Sequence, residues 1–327
     1  MVGKGAFLGE TGKGSVSPPN TQHQHRTPQT TEEGRTAFFC AVRKAFTLLL
    51  LFIYQHLPAM ADHLWRIGND SAESERLTQA WRLSGFRFYN EADSTQNIVR
   101  RLAEADAPAW TLVVADYQTE GRGQYGRRWS AEPGSSVMFS LLMRPLTPGA
   151  MGLLPIRIGM AVASALDRYL PIAPNSKAYT WVKWPNDIIL NNAKVGGVLC
   201  EGSIRGEHSY AIIGVGVNVH RFPQTWLDPV GIPPTYLDQH VRGPISRLEV
   251  LGSIIDSIRN CRDLDSEDLS IAELEEFALR DWLRGKMIDS PIQGRVVGIT
   301  QQGYLVVERP DGNNDLVLSG RISVKPG

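Results

Sequence analysis

Thr180-Trp181-Val182-Lys183-Trp184-Pro185-Asn186-Asp187-Ile188-Ile189-Leu190 is the stretch on which the reading of this chain turns. It is β-branched and aromatic up to Val182 and apolar from Ile188, so both flanks predict strands. Pro185 has no N–H for a ladder, which predicts a turn or bulge between them. A cation, an amide and a carboxylate then stand at a break between two buried strands, where side chains are fixed yet can meet a ligand. The plainer alternative is a solvated Lys–Asp pair in a turn.

Downstream, Asn191-Asn192 reads as a hairpin turn and Lys194 to Glu201 as the returning strand, with Gly196-Gly197 inside it. Tyr210 to Val219 repeats the device with Gly214 and Gly216. Glycine weakens a strand, so paired glycines here predict a ligand or another backbone passing close by, as in the floor of a pocket. Upstream, the buried strand Trp110 to Asp116 runs into the loop Gln118 to Trp129, which carries three glycines and three arginines. Glycine permits close approach of backbone to ligand, and arginine offers planar donor forks to phosphate or carboxylate, so the loop reads as an anion cradle. Gly121-Arg122-Gly123-Gln124-Tyr125-Gly126 fits G-x-G-x-x-G, but no helix pattern opens after it, which argues against a dinucleotide fingerprint. A mobile basic surface loop is the plainer reading.

Phe86 to Tyr89 alternates as a strand, and Asp93 to Asn97 opens a helix running through Leu102 with Asp93 or Ser94 as N-cap. The free N–H groups and hydroxyls of such a helix start also suit a ligand oxygen. Ser136 to Arg144 is a further strand, Leu153 to Leu170 an amphipathic helix on the sheet, and Leu248 to Cys261 with Ile271 to Leu283 a closing helical pair. Arg221 to Gly243 is proline-rich and irregular. After Gly285, Ile292 to Ile299, Leu305 to Glu308 and Leu316 to Val324 read as the strands of a small β-barrel packed on the main domain.

The 327 residues suggest about two domains, at roughly 150 residues each. The expected division is 1–60 a disordered or spurious extension, 61–85 a linker with a partly helical Glu73 to Leu83, 86–283 catalytic, and 284–327 the barrel. With 34 basic and 34 acidic residues, no overall field draws the chain to nucleic acid or an anionic membrane. Three scattered cysteines fit neither a disulfide framework nor a metal site and suit a reducing compartment, the cytoplasm. No metal site made by protein alone is evident. Residues 1 to about 36 are polar and read as disordered. The run Thr47 to Tyr54, preceded by Arg43 and Lys44, is too short to span a bilayer. A targeting segment, a membrane-leaning helix and an upstream extension with Met60 as the working start all account for it, and the last is favoured because the chemical motifs follow it.

Taken together, a Gly/Arg loop, a glycine floor, a fixed lysine and hydroxyl and amide donors fit binding of a nucleoside triphosphate and activation of a carboxylate as an acyl adenylate. Aminolysis of that anhydride then needs little beyond a positioned amine and an enclosed site. The motifs Asp93-Ser94-Thr95, Gln118 with Gly121-Arg122-Gly123 and Gly126-Arg127, Lys183 to Asp187, Lys194 to Gly197, and Gly214 to Asn218 resemble, in order, those of the biotin protein ligases, the biotin–[acetyl-CoA carboxylase] ligase family.

The resemblance implies a mixed-sheet α/β (α+β) catalytic domain of the class II synthetase type and a C-terminal SH3-like β-barrel. It implies synthesis of biotinyl-5'-AMP from biotin and MgATP, then transfer of biotin to a lysine of a carboxyl carrier domain such as that of acetyl-CoA carboxylase. Carried over by position, Lys183, Arg122 and Asp187 would be catalytic. Ser94, Thr95, Gln96, Gln118, Gly123, Gln124, Gly196 and Gly197 would join Arg122 and Lys183 around biotin. Arg122, Arg127, Trp129, Asn186, Gly216 and Asn218 would serve ATP, with Mg2+ arriving on the nucleotide. Two positions depart from the family pattern: Gln96 often stands as Asn, and Gln124 often as Arg. Loss of that arginine is expected to retain the adenylate less firmly unless Arg127 or Arg128 compensates, and Gln124→Arg should then slow its release. A lipoate or octanoate transferase and a non-catalytic biotin-binding protein are the alternatives. Residues 1–85 show no paired helices with a basic recognition face, which argues against a DNA-binding role. A homodimer stays open.

Overall fold

The computed structural model describes residues 71–144, 146–171, 180–206, 208–222, 232–261 and 263–324. The expectations for residues 1–60, Met60 included, lie outside them, as does part of the irregular 221–243 stretch. Of the expected linker helix, α1 spans Ser71–Ala80.

Alternation builds the main sheet. In β2 (Thr111–Gln118), Leu112 and Val114 join one core cluster while Val113 and Ala115 join another on the opposite face. The strand is therefore covered on both sides, and so is β3 (Ser136–Met143), buried along its whole length. β1 (Gly85–Ala92) pairs with β2 in parallel, the two linked through helix α2 (Thr95–Glu104). β4 (Thr180–Lys183), β5 (Asp187–Leu190), β6 (Ala193–Ser203) and β7 (Tyr210–Asn218) complete seven strands in the order β1-β2-β3-β7-β6-β5-β4, antiparallel from β2 onward. The expected turn at Pro185 joins β4 to β5, with a cis Trp184–Pro185 bond. Asn191 and Asn192 both take positive φ, as a tight hairpin requires.

Helix α3 (Pro148–Asp167) begins five residues before the expected Leu153, because Thr147 caps it by accepting the Ala150 N–H at 3.2 Å and Pro148 occupies the first turn. It is not a one-sided amphipathic helix. Leu154, Ile158 and Val162 face the sheet together with α4 (Arg247–Arg259), while Leu153, Ile156, Met160 and Ala163 face a second core. Its length and hydropathy suffice to cross a membrane, but two-sided burial accounts for them. α5 (Ile271–Arg280) opens on a capping box between Ser270 and Glu273.

That second core belongs jointly to α3, α5 and the C-terminal sheet. β8 (Met287–Ser290), β9 (Gly294–Ile299), β10 (Leu305–Glu308), β11 (Asn314–Val317) and β12 (Ser323–Val324) form an antiparallel sheet ordered β11-β10-β9-β8-β12. The expected strand Leu316 to Val324 is thus two strands, broken near Gly320 at φ 131°, and β8 is one that sequence patterning missed. Trp184 seals the junction by donating its indole N–H to the Gly303 carbonyl at 2.8 Å.

Candidate functional site

Strand register builds the floor of the site. Met138 on β3 lies beside Gly216 on β7, Gly216 beside Gly197 on β6, Gly197 beside Asp187 on β5, and Asp187 beside Lys183 on β4. One row across five strands thus ends at the carboxylate and the lysine singled out in sequence. A parallel row runs Ser140, Gly214, Leu199. These rows lie on the α2 face of the sheet and floor a cleft of about 550 Å³.

The glycines serve mainly the chain's own side chains. A Cβ on Gly216 would fall 2.5 Å from the Trp129 indole, and one on Gly214 2.7 Å from the Gln96 amide. Gly196 does admit a neighbouring backbone: a Cβ there would meet the Gly216 carbonyl at 2.8 Å.

At one end of the cleft the helix start of α2 is arranged unlike a capped helix. Ser94 occupies the N-cap position but makes no capping bond, and the Asp93 carboxylate instead accepts from the Asn97 amide at 3.1 Å. Gln118, reaching from β2, satisfies another free donor of the helix start: its Oε1 takes the Thr95 N–H at 2.8 Å and the Thr95 hydroxyl at 3.2 Å. The Thr95 hydroxyl also bonds Ser140 at 2.8 Å. The Gln96 amide donates to the Leu199 carbonyl at 2.9 Å, leaving its Oε1 buried with no protein partner. The Ser94 hydroxyl is likewise buried and unpartnered. Orphaned polar atoms lining a cleft are placed to meet a ligand.

The other end is cationic. Lys183, Lys194, Arg127 and Arg321 line it, whereas the Arg128 guanidinium donates to the Thr119 carbonyl just after β2, and Asp187 is the one carboxylate among the described lining residues. Lys194 Nζ lies 2.5 Å from Asp187 Oδ1 and 5.8 Å from the Trp129 ring centroid, while Lys183 Nζ is 3.8 Å from Oδ2. Burial pulls the Lys183 pKa below the ordinary lysine value against the raising effect of Asp187, and Lys194, Arg127 and Arg321 lower it further. Asn186 is spent on structure: its amide donates to the Val198 carbonyl at 2.7 Å.

The Gly/Arg loop folds over this cleft as a small hairpin. Gly123 N–H donates to the Arg127 carbonyl at 2.8 Å and Trp129 N–H to the Gly121 carbonyl at 2.9 Å. Its tip, Gln124–Gly126, is a single 3-10 turn with Tyr125 at φ 57°. Most residues singled out in sequence therefore meet in one cleft. Gly196 and Asn218 do not line it, and Asn218 is buried with its amide on the Thr235 carbonyl at 3.2 Å. Sequence reasoning missed Lys194 and Ser140 as side chains of the site. It also missed a wall formed by Trp282 and Gly320 to Val324. Lys194 carries no local signal of its role: it stands opposite Ile189 on the far side of the hairpin, and only the folded hairpin brings its ammonium group to Asp187.

Residues 89–218 match the biotin/lipoate A/B protein ligase family, and residues 286–325 match the biotin protein ligase C-terminal domain. The chain is 31% identical over 232 residues to the bifunctional ligase/repressor BirA of Bacillus subtilis, covering 69% of this chain and 70% of that one. Against a biotin–[acetyl-CoA-carboxylase] ligase of Paracoccus denitrificans the figures are 29% over 236 residues, 70% and 91%. The solved biotin protein ligase from Aquifex aeolicus in complex with biotin and ATP is similar at a TM-score of 0.60 and 26% identity, over 74% of this chain and 99% of that one.

Proposed function

This chain belongs to the biotin protein ligase family, and from that premise we infer that it activates biotin with ATP to biotinyl-5'-AMP and transfers the biotin to a lysine of a biotin carboxyl carrier domain. The observation that carries the reading is the polarity of the cleft: neutral orphaned donors and acceptors at one end, cations at the other. A uncharged ureido ring with one carbonyl and two N–H groups suits the first. Gln96 Oε1 can accept from ureido N–H, and the Ser94 hydroxyl can donate to the ureido carbonyl. Gln118 acts behind them, holding Thr95 and the helix start in place.

Attack of the biotin carboxylate on the α-phosphorus brings two anions together and expels pyrophosphate, so cations aimed at the developing charge are the main contribution the protein can make. We assign that contribution to the pair Lys194 and Lys183 rather than to Lys183 alone. Asp187 lies beside both ammonium groups and offsets their mutual repulsion. Trp129, seated in the space Gly216 leaves, gives an apolar wall, and Arg127 and Arg321 face the phosphates. Mg2+ would arrive on the triphosphate and keep most of its oxygen ligands from phosphate and water, since among the described lining residues Asp187 alone offers it a carboxylate. In the second step the carrier lysine attacks the acyl carbon and AMP leaves.

Transfer of labelled biotin to a carrier domain tests this directly. Label should reach a single carrier lysine only with MgATP. Labelling by lipoate in place of biotin, or tight biotin binding without transfer, would contradict it.

A further inference from the structure

Arg122 does not stand free to meet an anion. Its Nη2 lies 2.7 Å from Glu201 Oε1 and its Nη1 donates to Asn97 Oδ1 at 3.3 Å. The other oxygen of Glu201 is held by Arg100 of α2 at 2.8 Å. Glu201 projects from β6 on the α2 face of the sheet, two pairs along from Leu199, and thus beyond the cleft floor. A second cavity lies behind the Gly/Arg loop, lined by Glu120 to Arg128 together with Leu199, Cys200 and Glu201. Arg122 borders both cavities, whereas Glu201 borders only the second. A carboxylate there cannot touch a ligand in the cleft except through Arg122.

We propose that Glu201 is the anchor of the Gly/Arg loop: clamped by Arg100, it ties Arg122 to β6 and so holds the loop over the cleft. Arg122 is then a positioning residue, and the anion contacts from the loop fall to Arg127, which lies near Lys183 at the cationic end, since the Arg128 guanidinium is held by the Thr119 carbonyl. The hairpin bonds at Gly123 and Trp129 give the loop its shape but do not attach its outer side to the body of the protein. Arg122 makes that attachment, through the short ion pair with Glu201 and the longer bond to Asn97. This inference rests on the ligase reading for its kinetic consequence but not for its structural one.

Two measurements test it. Hydrogen–deuterium exchange of the ligand-free protein should show faster exchange across residues 119–129 in Glu201→Gln, with β3 amides unchanged as the control for folding. Arg100→Gln, which leaves the Arg122–Glu201 pair in place, should move the loop less. In the active enzyme, Glu201→Gln should speed loss of biotinyl-5'-AMP by about fivefold, the scale of a partly exposed charged pair. Adding Arg122→Gln to that background should cost nothing more. Unchanged loop exchange in Glu201→Gln would overturn the proposal, and so would an additive loss in the double variant, because Arg122 would then act on the ligand by itself. Should wild type form no adenylate, the ligase reading fails while the exchange measurement still decides the anchor.

Discussion

Lys194 and Lys183 share one carboxylate, and their surroundings divide the work between them. The Lys194 side chain is 28% exposed and lies near the Trp129 face, whereas that of Lys183 is 12% exposed. A buried ammonium can strengthen the field in the cleft but reaches a ligand less readily. Lys194→Ala should therefore lower ATP-dependent biotin activation, read by pyrophosphate exchange, by about 10²-fold, the scale of removing one preorganised donor, and Lys183→Ala by less. A larger loss from Lys183→Ala would reverse the assignment. Sequence pointed to Lys183 because a lysine, an amide and an aspartate crowd into five residues. The partnership of Asp187 with Lys194 was not legible, since it appears only when β5 and β6 pair.

At the scale of the strand, the glycines of β6 and β7 set the depth of the cleft. That glycines inside strands signal close approach was legible, but what approaches was not. No local pattern says that an indole from a loop some 90 residues away fills the space above Gly216. Gly216→Ala would drive a methyl group into the Trp129 ring, and overpacking of this kind typically costs about 1–3 kcal/mol. The ring must move, so nucleotide affinity should fall at least tenfold while the fold persists, with a change in tryptophan fluorescence. Unaltered ATP binding in Gly216→Ala would show that Trp129 is not part of the nucleotide wall. The start of α2 carries a similar lesson. Ser94 has the residue type of an N-cap and stands at that position, yet its hydroxyl accepts no N–H of α2 and is left to the cleft, while Gln118 from another strand meets the Thr95 N–H.

Across the whole molecule, the C-terminal sheet is part of the catalytic core and also walls the cleft. The alternation of its strands was legible. The second buried face of α3 was not, because only tertiary packing shows what covers it. Arg157, within that helix, is 1% exposed and fully engaged by Glu273 at 2.7 Å and by the Ser266 and Asp268 carbonyls at 2.8 Å each. The junction also holds a charge under strain. Asp281 is buried, one of its oxygens has no partner, and burial raises its pKa from 3.8 to about 6. Between those values the folded chain keeps a proton that the unfolded chain has lost, so this group lowers stability as pH rises through the window. Asp281→Asn does not titrate. Its stability relative to wild type should thus increase between pH 4 and pH 7.5, by up to about 3 kcal/mol at roughly 1.4 kcal/mol per pH unit. Denaturant unfolding at the two pH values checks this, and an equal difference at both would refute it.

In the function proposed, one cleft activates biotin through a lysine pair and delivers it to a carrier lysine. The most direct measurement is transfer of labelled biotin to a carrier domain by wild type and by Lys194→Ala, with and without MgATP. Label on a single carrier lysine should require MgATP and nearly vanish in the variant. Transfer that persists in Lys194→Ala at the wild-type rate, or that proceeds without ATP, would contradict it.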